Sequence, residues 1–222
     1  MYRALCFGCA VLMLAPLATR AGEDPLYAKN LSPLVGLLGL PSQRAADTVA
    51  GGANTFALHS SIASHYVADG EGLENLNFDG ETVRLALEWR YGLADDWELM
   101  LEVPWLDHSG GQLDSLIDNW HDFWGMSDGG RSQVPRDILE YRYSTPEAGF
   151  LLEDDASGLG DISLSLNHVF YRDDNSAASL ALGYKFATGD EDDFLGSGSD
   201  DWFTAARFSG DHLADLPLTW HG

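Results

Sequence analysis

From residue 53 onward the hydrophobic period of the chain is two, and this alternation is the strongest limit on what it can fold into. In residues 81–93, Val83, Leu85, Leu87, Trp89, Tyr91 and Leu93 fall on one face of an extended strand. Arg84, Ala86, Glu88 and Arg90 fall on the other. Trp97, Leu99, Leu101, Val103 and Trp105 alternate in the same way with Glu98, Met100, Glu102 and Pro104. Residues 162–170 and 178–186 repeat the pattern, 54–67 and 202–209 carry it more weakly, and 138–143 and 150–153 are shorter candidates.

Alternation alone does not separate a soluble β-sandwich from a membrane barrel. Strand length argues for the barrel, because several of these runs reach about ten residues, enough to cross a bilayer at a tilt. Sandwich strands are commonly about five or six residues. The connections alternate as well. Residues 69–80, 107–135 and 189–200 read as long loops, 94–96, 144–149 and 172–175 as short turns, and 154–158 as intermediate. Aromatic residues gather at the strand ends, as in two interfacial girdles. Trp89, Tyr91, Trp97 and Phe170 lie near the short turns, and Trp105, Tyr184, Phe186 and Trp202 near the long loops. The expected fold is all-β, an antiparallel up-and-down transmembrane barrel. Its apolar face would meet lipid, and Arg84, Glu88, Arg90, Glu98 and Glu102 would line the lumen, where opposite charges can pair. If the tight turn opposes Tyr91 to Trp97, Arg90 faces Glu98.

The beginning of the chain fits export. Residues 1–21 read as a signal peptide, with Arg3 as the charged start, an apolar stretch from Ala4 to Leu17, and Thr19 and Ala21 at the cleavage positions. Pro16 and Arg20 interrupt the run before it reaches the roughly 20 residues of a membrane anchor. Cleavage would remove Cys6 and Cys9, leaving no disulfide, thiol nucleophile or Cys metal site. It would also remove Arg3 and Arg20, making the net charge of −23 more negative still. Nucleic acid is therefore excluded as a partner, since phosphate binding needs a basic surface.

Residues 22–52 are expected to form a periplasmic segment with a short helix over 34–40, Ser32 as its N-cap and Pro33 in its first turn. That helix would plug or flank the barrel mouth. Residues 53–222 would supply the barrel strands. Inside the longest loop, Leu113, Leu116, Ile117, Trp120 and Trp124 recur at helical spacing, with Asp114, Asp118 and Asp122 opposite. The expectation is an amphipathic helix packed by its apolar stripe on the rim, or folded inward over the pore. Residues 216–220 begin a further strand, and Trp220-His221-Gly222 reads as an element cut short, so the barrel is expected to be incomplete at its C-terminus.

Catalytic and metal chemistry find little footing. The seven histidines include no pair with H-E-x-x-H spacing. His59 and His65 share a strand face with Ser61, the basis for an alternative reading as a lipid hydrolase. A polar lumen strand carries the same residues without catalysis. Asp190, Glu191, Asp192 and Asp193, and the pairs Asp154-Asp155 and Asp200-Asp201, lack calcium-loop spacing and read as solvated acidic loops. Gly51-Gly52 and Gly110-Gly111 are turn glycines without a phosphate-binding context. No catalytic, metal or cofactor site is expected. The expected setting is the bacterial outer membrane, in contact with lipid, lipopolysaccharide and the barrel-assembly machinery. Small solutes could pass through the lumen. A soluble acidic periplasmic β-protein is the remaining alternative.

An ordered series of short motifs resembles one bacterial family. It begins with Asn30-Leu31-Ser32-Pro33-Leu34 and Gly39-Leu40-Pro41, and continues through Asp79-Gly80-Glu81-Thr82, Glu102-Val103-Pro104-Trp105 and His108-Ser109-Gly110-Gly111. Asp118-Asn119-Trp120-His121, Ser157-Gly158-Leu159-Gly160-Asp161, Lys185-Phe186-Ala187-Thr188-Gly189-Asp190 and Leu195-Gly196-Ser197-Gly198 complete it. The series is similar to domain-of-unknown-function family 3187 over most of residues 29–200. The resemblance implies an outer-membrane-type barrel and supplies no substrate and no catalytic residues. It also implies relatives that continue through further strands.

Overall fold

The structure is a computed structural model and describes residues 24–127, 130–212, 216 and 218–222. The expected export signal, 1–21, lies outside the described residues. The chain is all-β with one short helix, and its strands form a single antiparallel sheet curled into a half-barrel. The long strands are β1 (Asn54–Glu71), β2 (Glu74–Ala94), β3 (Trp97–Ser109), β7 (Ser163–Arg172), β8 (Ser176–Lys185) and β9 (Asp201–Gly210). Shorter strands are β4 (Glu140–Ser144), β5 (Gly149–Leu152), β6 (Ala156–Leu159) and β10 (Trp220–His221), and helix α1 spans Asp114–Trp124.

Strand β2 pairs with β1 along one edge and with β4 and then β3 along the other. Strand β3 divides its far edge between β6 and β7, after which β8, β9 and β10 follow in order. Two expected loops are therefore strands. The stretch 69–80 is the end of a hairpin that runs to Glu71 opposite Glu74, with only Gly72 and Leu73 in its turn. Both strands there are solvent-exposed near the turn, so no alternation marked them. The stretch 154–158 contributes most of β6, a four-residue strand too short to show a period. At the tight turn the register shifts between Gly92 and Ala94, so Tyr91 opposes Leu99 and not Trp97. Arg90 and Glu98 are thus diagonal rather than facing, yet they still form an ion pair at 2.9 Å.

The expected helix over 34–40 is one turn of 3-10 helix, Gly36–Leu38, without a side-chain cap. Ser32 serves through its backbone: its N–H donates to Asn30 Oδ1 at 2.9 Å and its carbonyl accepts from Gly36 N–H at 2.8 Å. Helix α1 is where expected, but most of its apolar stripe faces out. Asp114 is buried, Asp118 mostly covered and Leu113 and Ile117 half-buried, whereas Leu116, Trp120, Phe123 and Trp124 are exposed together with Asp122. Gly110 and Gly111 permit the close approach that leads into it. A Cβ on Gly110 would collide with the Asp137 carbonyl and one on Gly111, at φ 69°, with the Glu81 carboxylate.

The same inversion runs through the sheet. On β1, Phe56, Leu58 and Ile62 are 55–70% exposed, and Leu85, Leu87, Leu180, Leu182, Phe170 and Trp202 are exposed on the same outer surface. The inner surface holds Arg84, Glu88, Arg90, Glu98 and Glu102, all at 8% exposure or less. Buried apolar residues form a cluster around Phe78, Tyr141 and Phe194 and a smaller one of Ala46, Val169 and Ala177, with Leu31, Val49 and Met100 among those buried outside them.

Candidate functional site

The inner face is organised by the alternation itself. Even-numbered residues of β2 and β3 and odd-numbered residues of β7 and β9 point inward, which brings charged side chains from distant strands onto one surface. Across this surface runs the N-terminal segment, residues 24–50. Small inward residues make room for it. A Cβ at Gly92 would strike the carbonyl oxygens of Val49 and Ala50.

The segment is held by charge. The Tyr27 ring stacks on His59 at 3.8 Å and 5°. Its hydroxyl donates to Glu102 at 3.2 Å and accepts from Arg84, which also pairs with Glu102 at 2.7 Å. Lys29 Nζ stands 3.6 Å from Glu102 and donates to the Leu40 carbonyl at 2.6 Å. Arg44 pairs with Glu88. Arg90 binds both Asp24 (2.8 Å) and Glu98 (2.9 Å), and Glu98 in turn accepts from Val49 N–H at 2.8 Å. Further along, Ala46 N–H donates to Ser209 Oγ at 3.1 Å and Arg172 pairs with Asp47 at 2.8 Å. Removing one member of such a buried pair typically costs about 3–5 kcal/mol, because the other charge is left uncompensated.

All five charged residues nominated from the sequence lie on this inner face, Arg84, Glu88 and Glu102 in one group with Tyr27, Lys29 and Arg44, and Arg90 and Glu98 in another with Asp24. Other members were missed. Arg207 and Lys185 occupy inward positions of the alternation in β9 and β8, so their signal was present. Arg207 donates to Asn167 Oδ1 at 3.2 Å, and Lys185 is held by Asp161 (2.7 Å), Asp201 (3.0 Å) and the Ser199 carbonyl (2.8 Å). Asp24, Tyr27, Lys29 and Arg44 carry no periodic signal, because their partners are on strands far away in sequence. Burial raises the Tyr27 phenol, with Glu102 adding to the effect. Burial lowers the Lys29 amine, against the opposing pull of Glu102.

A second, drier network lies farther along β2. His108 Nε2 faces the Phe194 carbonyl at 3.1 Å and must donate to it, so His108 Nδ1 accepts from Thr82 at 2.9 Å. The Thr82 oxygen then accepts from Tyr141 (3.2 Å) and His65 (3.1 Å). His65 is thereby committed to Thr82 and His59 to Tyr27 and Glu88, and neither ring is hydrogen-bonded to Ser61 among the described residues. Near the rim, Arg131 joins Asp79 (2.8 Å) to Asp114, and the Glu81 carboxylate accepts from Gln112 N–H (3.1 Å) and Leu113 N–H at the start of α1. Negative charge at a helix N-terminus is favourable.

Among the described residues, no group of three or more His, Asp or Glu side chains is placed to hold a metal ion. No described helix is long and apolar enough to cross a membrane, which says nothing of strands.

A family model described as protein of unknown function (DUF3187) matches residues 2–211. The chain belongs to this family. No curated protein and no solved structure matches it. In this DUF3187 chain the matched region takes in the segment 24–50 and all six long strands of the wall it crosses.

Proposed function

We propose that the chain is a non-enzymatic outer-membrane β-barrel protein, porin-like or structural, whose polar lumen is occupied by its own N-terminal segment. The observation that carries the reading is the inverted polarity of the sheet: apolar side chains outward and exposed, charged side chains inward and buried. In water each exposed leucine or phenylalanine forgoes roughly 1.5–3 kcal/mol of burial. Against hydrocarbon that loss disappears. The inward arginines, by contrast, would cost about 2–4 kcal/mol each on the lipid face at mid-membrane. The strands β2, β3, β7 and β8 are paired on both edges, as hydrocarbon requires of N–H and C=O groups, while β1 and β9 bound the half-barrel.

On this reading the lipid-facing aromatics Trp97, Trp105 and Trp202 sit in the interfaces, lipopolysaccharide surrounds the wall, and insertion depends on the barrel-assembly machinery. Any passage of small solutes is limited by the segment. The deciding experiment is extraction of the exported protein with and without detergent, followed by gel migration before and after boiling. Detergent dependence and a heat-dependent shift are expected. Release in buffer alone, with unchanged migration, means a soluble periplasmic protein.

A further inference from the structure

Between the N-terminal segment and the wall lies a cavity of about 250 Å³. Its lining combines two chemistries. Leu37, Leu106 and Phe194 supply apolar surface, and Leu37 and Phe194 also pack in the aromatic cluster around Tyr141. Lys29, Arg84 and Glu102 supply charge. The two cations share one carboxylate, and that carboxylate already accepts from the Tyr27 hydroxyl. Lys185, also on the cavity wall, is neutralised there by the buried Asp161, and its second partner Asp201, which makes this cluster one charge negative, is half exposed to solvent and so largely screened. The next charge beyond, Arg44, is cationic and is matched by Glu88. The local surplus around Lys29 and Arg84 is therefore one positive charge. Gly36 and Leu40, which are exposed, border the cavity and mark its opening.

We propose that this cavity is a binding site for a small monoanion with an apolar body, a carboxylate-headed molecule whose head is taken by Lys29 and Arg84 and whose body lies against Leu37, Leu106 and Phe194. A charge-assisted contact in such a setting is the strong kind of hydrogen bond. The volume lies just below the roughly 300–1,000 Å³ of typical ligand pockets, which restricts the guest to a small one. The neutral analogue leaves the surplus charge unmatched. A cationic analogue adds to it.

The test uses the full exported chain in detergent and fluorine NMR of 4-fluorobenzoate, with 4-fluorobenzamide and 4-fluorobenzylamine as neutral and cationic counterparts. Saturable benzoate binding is expected, with the amide weaker by about tenfold or more, as a lost charge-assisted contact implies, and the amine not bound. Lys29→Met should weaken benzoate by a similar factor, Lys29→Arg should retain it, and Val35→Trp, which fills the cavity from the segment side, should abolish it. The proposal is overturned if the folded wild type shows no saturable binding, if benzamide binds equally well, or if Lys29→Met or Val35→Trp leaves the affinity unchanged. Gel migration before and after boiling, run on each variant, reports the fold separately. Benzoate binding without heat-dependent migration would sustain this site and remove the membrane reading; the converse would do the opposite.

Discussion

Glu98 is the residue at which wall and segment are most tightly joined, since it pairs with Arg90 and also accepts a backbone N–H from Val49. Both side chains of the pair are buried, so solvent screens them little. A double-mutant cycle on Arg90→Ala and Glu98→Ala, read by urea unfolding in detergent, is expected to give a coupling energy above about 1 kcal/mol. Near-additive single effects would show that the pair is not coupled. Lys29 and Tyr27 give the segment a pH signature. Burial lowers the Lys29 amine below its ordinary 10.5, so just below that pH the unfolded chain binds more protons and stability rises with pH. Burial raises the Tyr27 phenol above its ordinary 10.0, so above that pH the folded chain holds more protons and stability falls. Lys29→Met should lose the rise and Tyr27→Phe the fall. Equal pH slopes in wild type and both variants count against the burial of these two groups.

At the scale of elements, the long alternating runs of β2, β3, β7 and β8 were legible, because one face of each is uniformly apolar. The far end of the β1–β2 hairpin was not, since Gly70, Gly72, Asn75 and Asn77 look like loop when neither face is covered. The helix was legible as a period but not in its orientation. Amphipathicity defines two faces without saying which turns inward; here Arg131 draws Asp114 inside and Glu81 satisfies the N–H groups at the helix start. For the segment 24–50, the sequence led only to a short helix over 34–40 plugging or flanking the mouth, not to a course across the inner face. Its contacts were not readable, because Tyr27 meets Glu102, 75 residues away. The inverted helix makes a prediction of its own. Trp120 and Trp124, 5.7 Å apart and exposed, belong in the interfacial belt if the membrane reading is right. In lipid vesicles, variants retaining tryptophan only at 120 and 124 should be quenched by lipids brominated near the headgroup more than by lipids brominated at the chain end. Variants keeping only Trp97 report whether the wall is in lipid at all. Quenching of Trp97 without quenching of the helix pair would place α1 away from the bilayer.

For the whole molecule, the distribution of charge is the telling property. The chain carries a net −23, yet most of the cations among the described residues face inward, where Arg44, Arg84 and Arg90 meet carboxylates of the segment and wall and Arg207 meets the Asn167 amide oxygen. The acidic excess is left on the loops, which self-repel and stay hydrated. A wall so lined needs either water or a counter-charged filler, and the segment supplies the second. Its hold comes from a few ion pairs and one stacked ring rather than from a large apolar core, so it should be separable from the wall. The combined variant Tyr27→Ala with Arg44→Ala removes the stack on His59 and the partner of Glu88. Glu88 keeps His59 within 3.5 Å, and water reaching a loosened lumen can solvate it further. In a planar bilayer the wild type is expected to conduct little, and the variant several-fold more, with residues 24–50 newly open to protease and heat-dependent migration retained. If the variant keeps its fold, becomes protease-sensitive over 24–50 and still does not conduct, the segment is a support for the wall and does not block it.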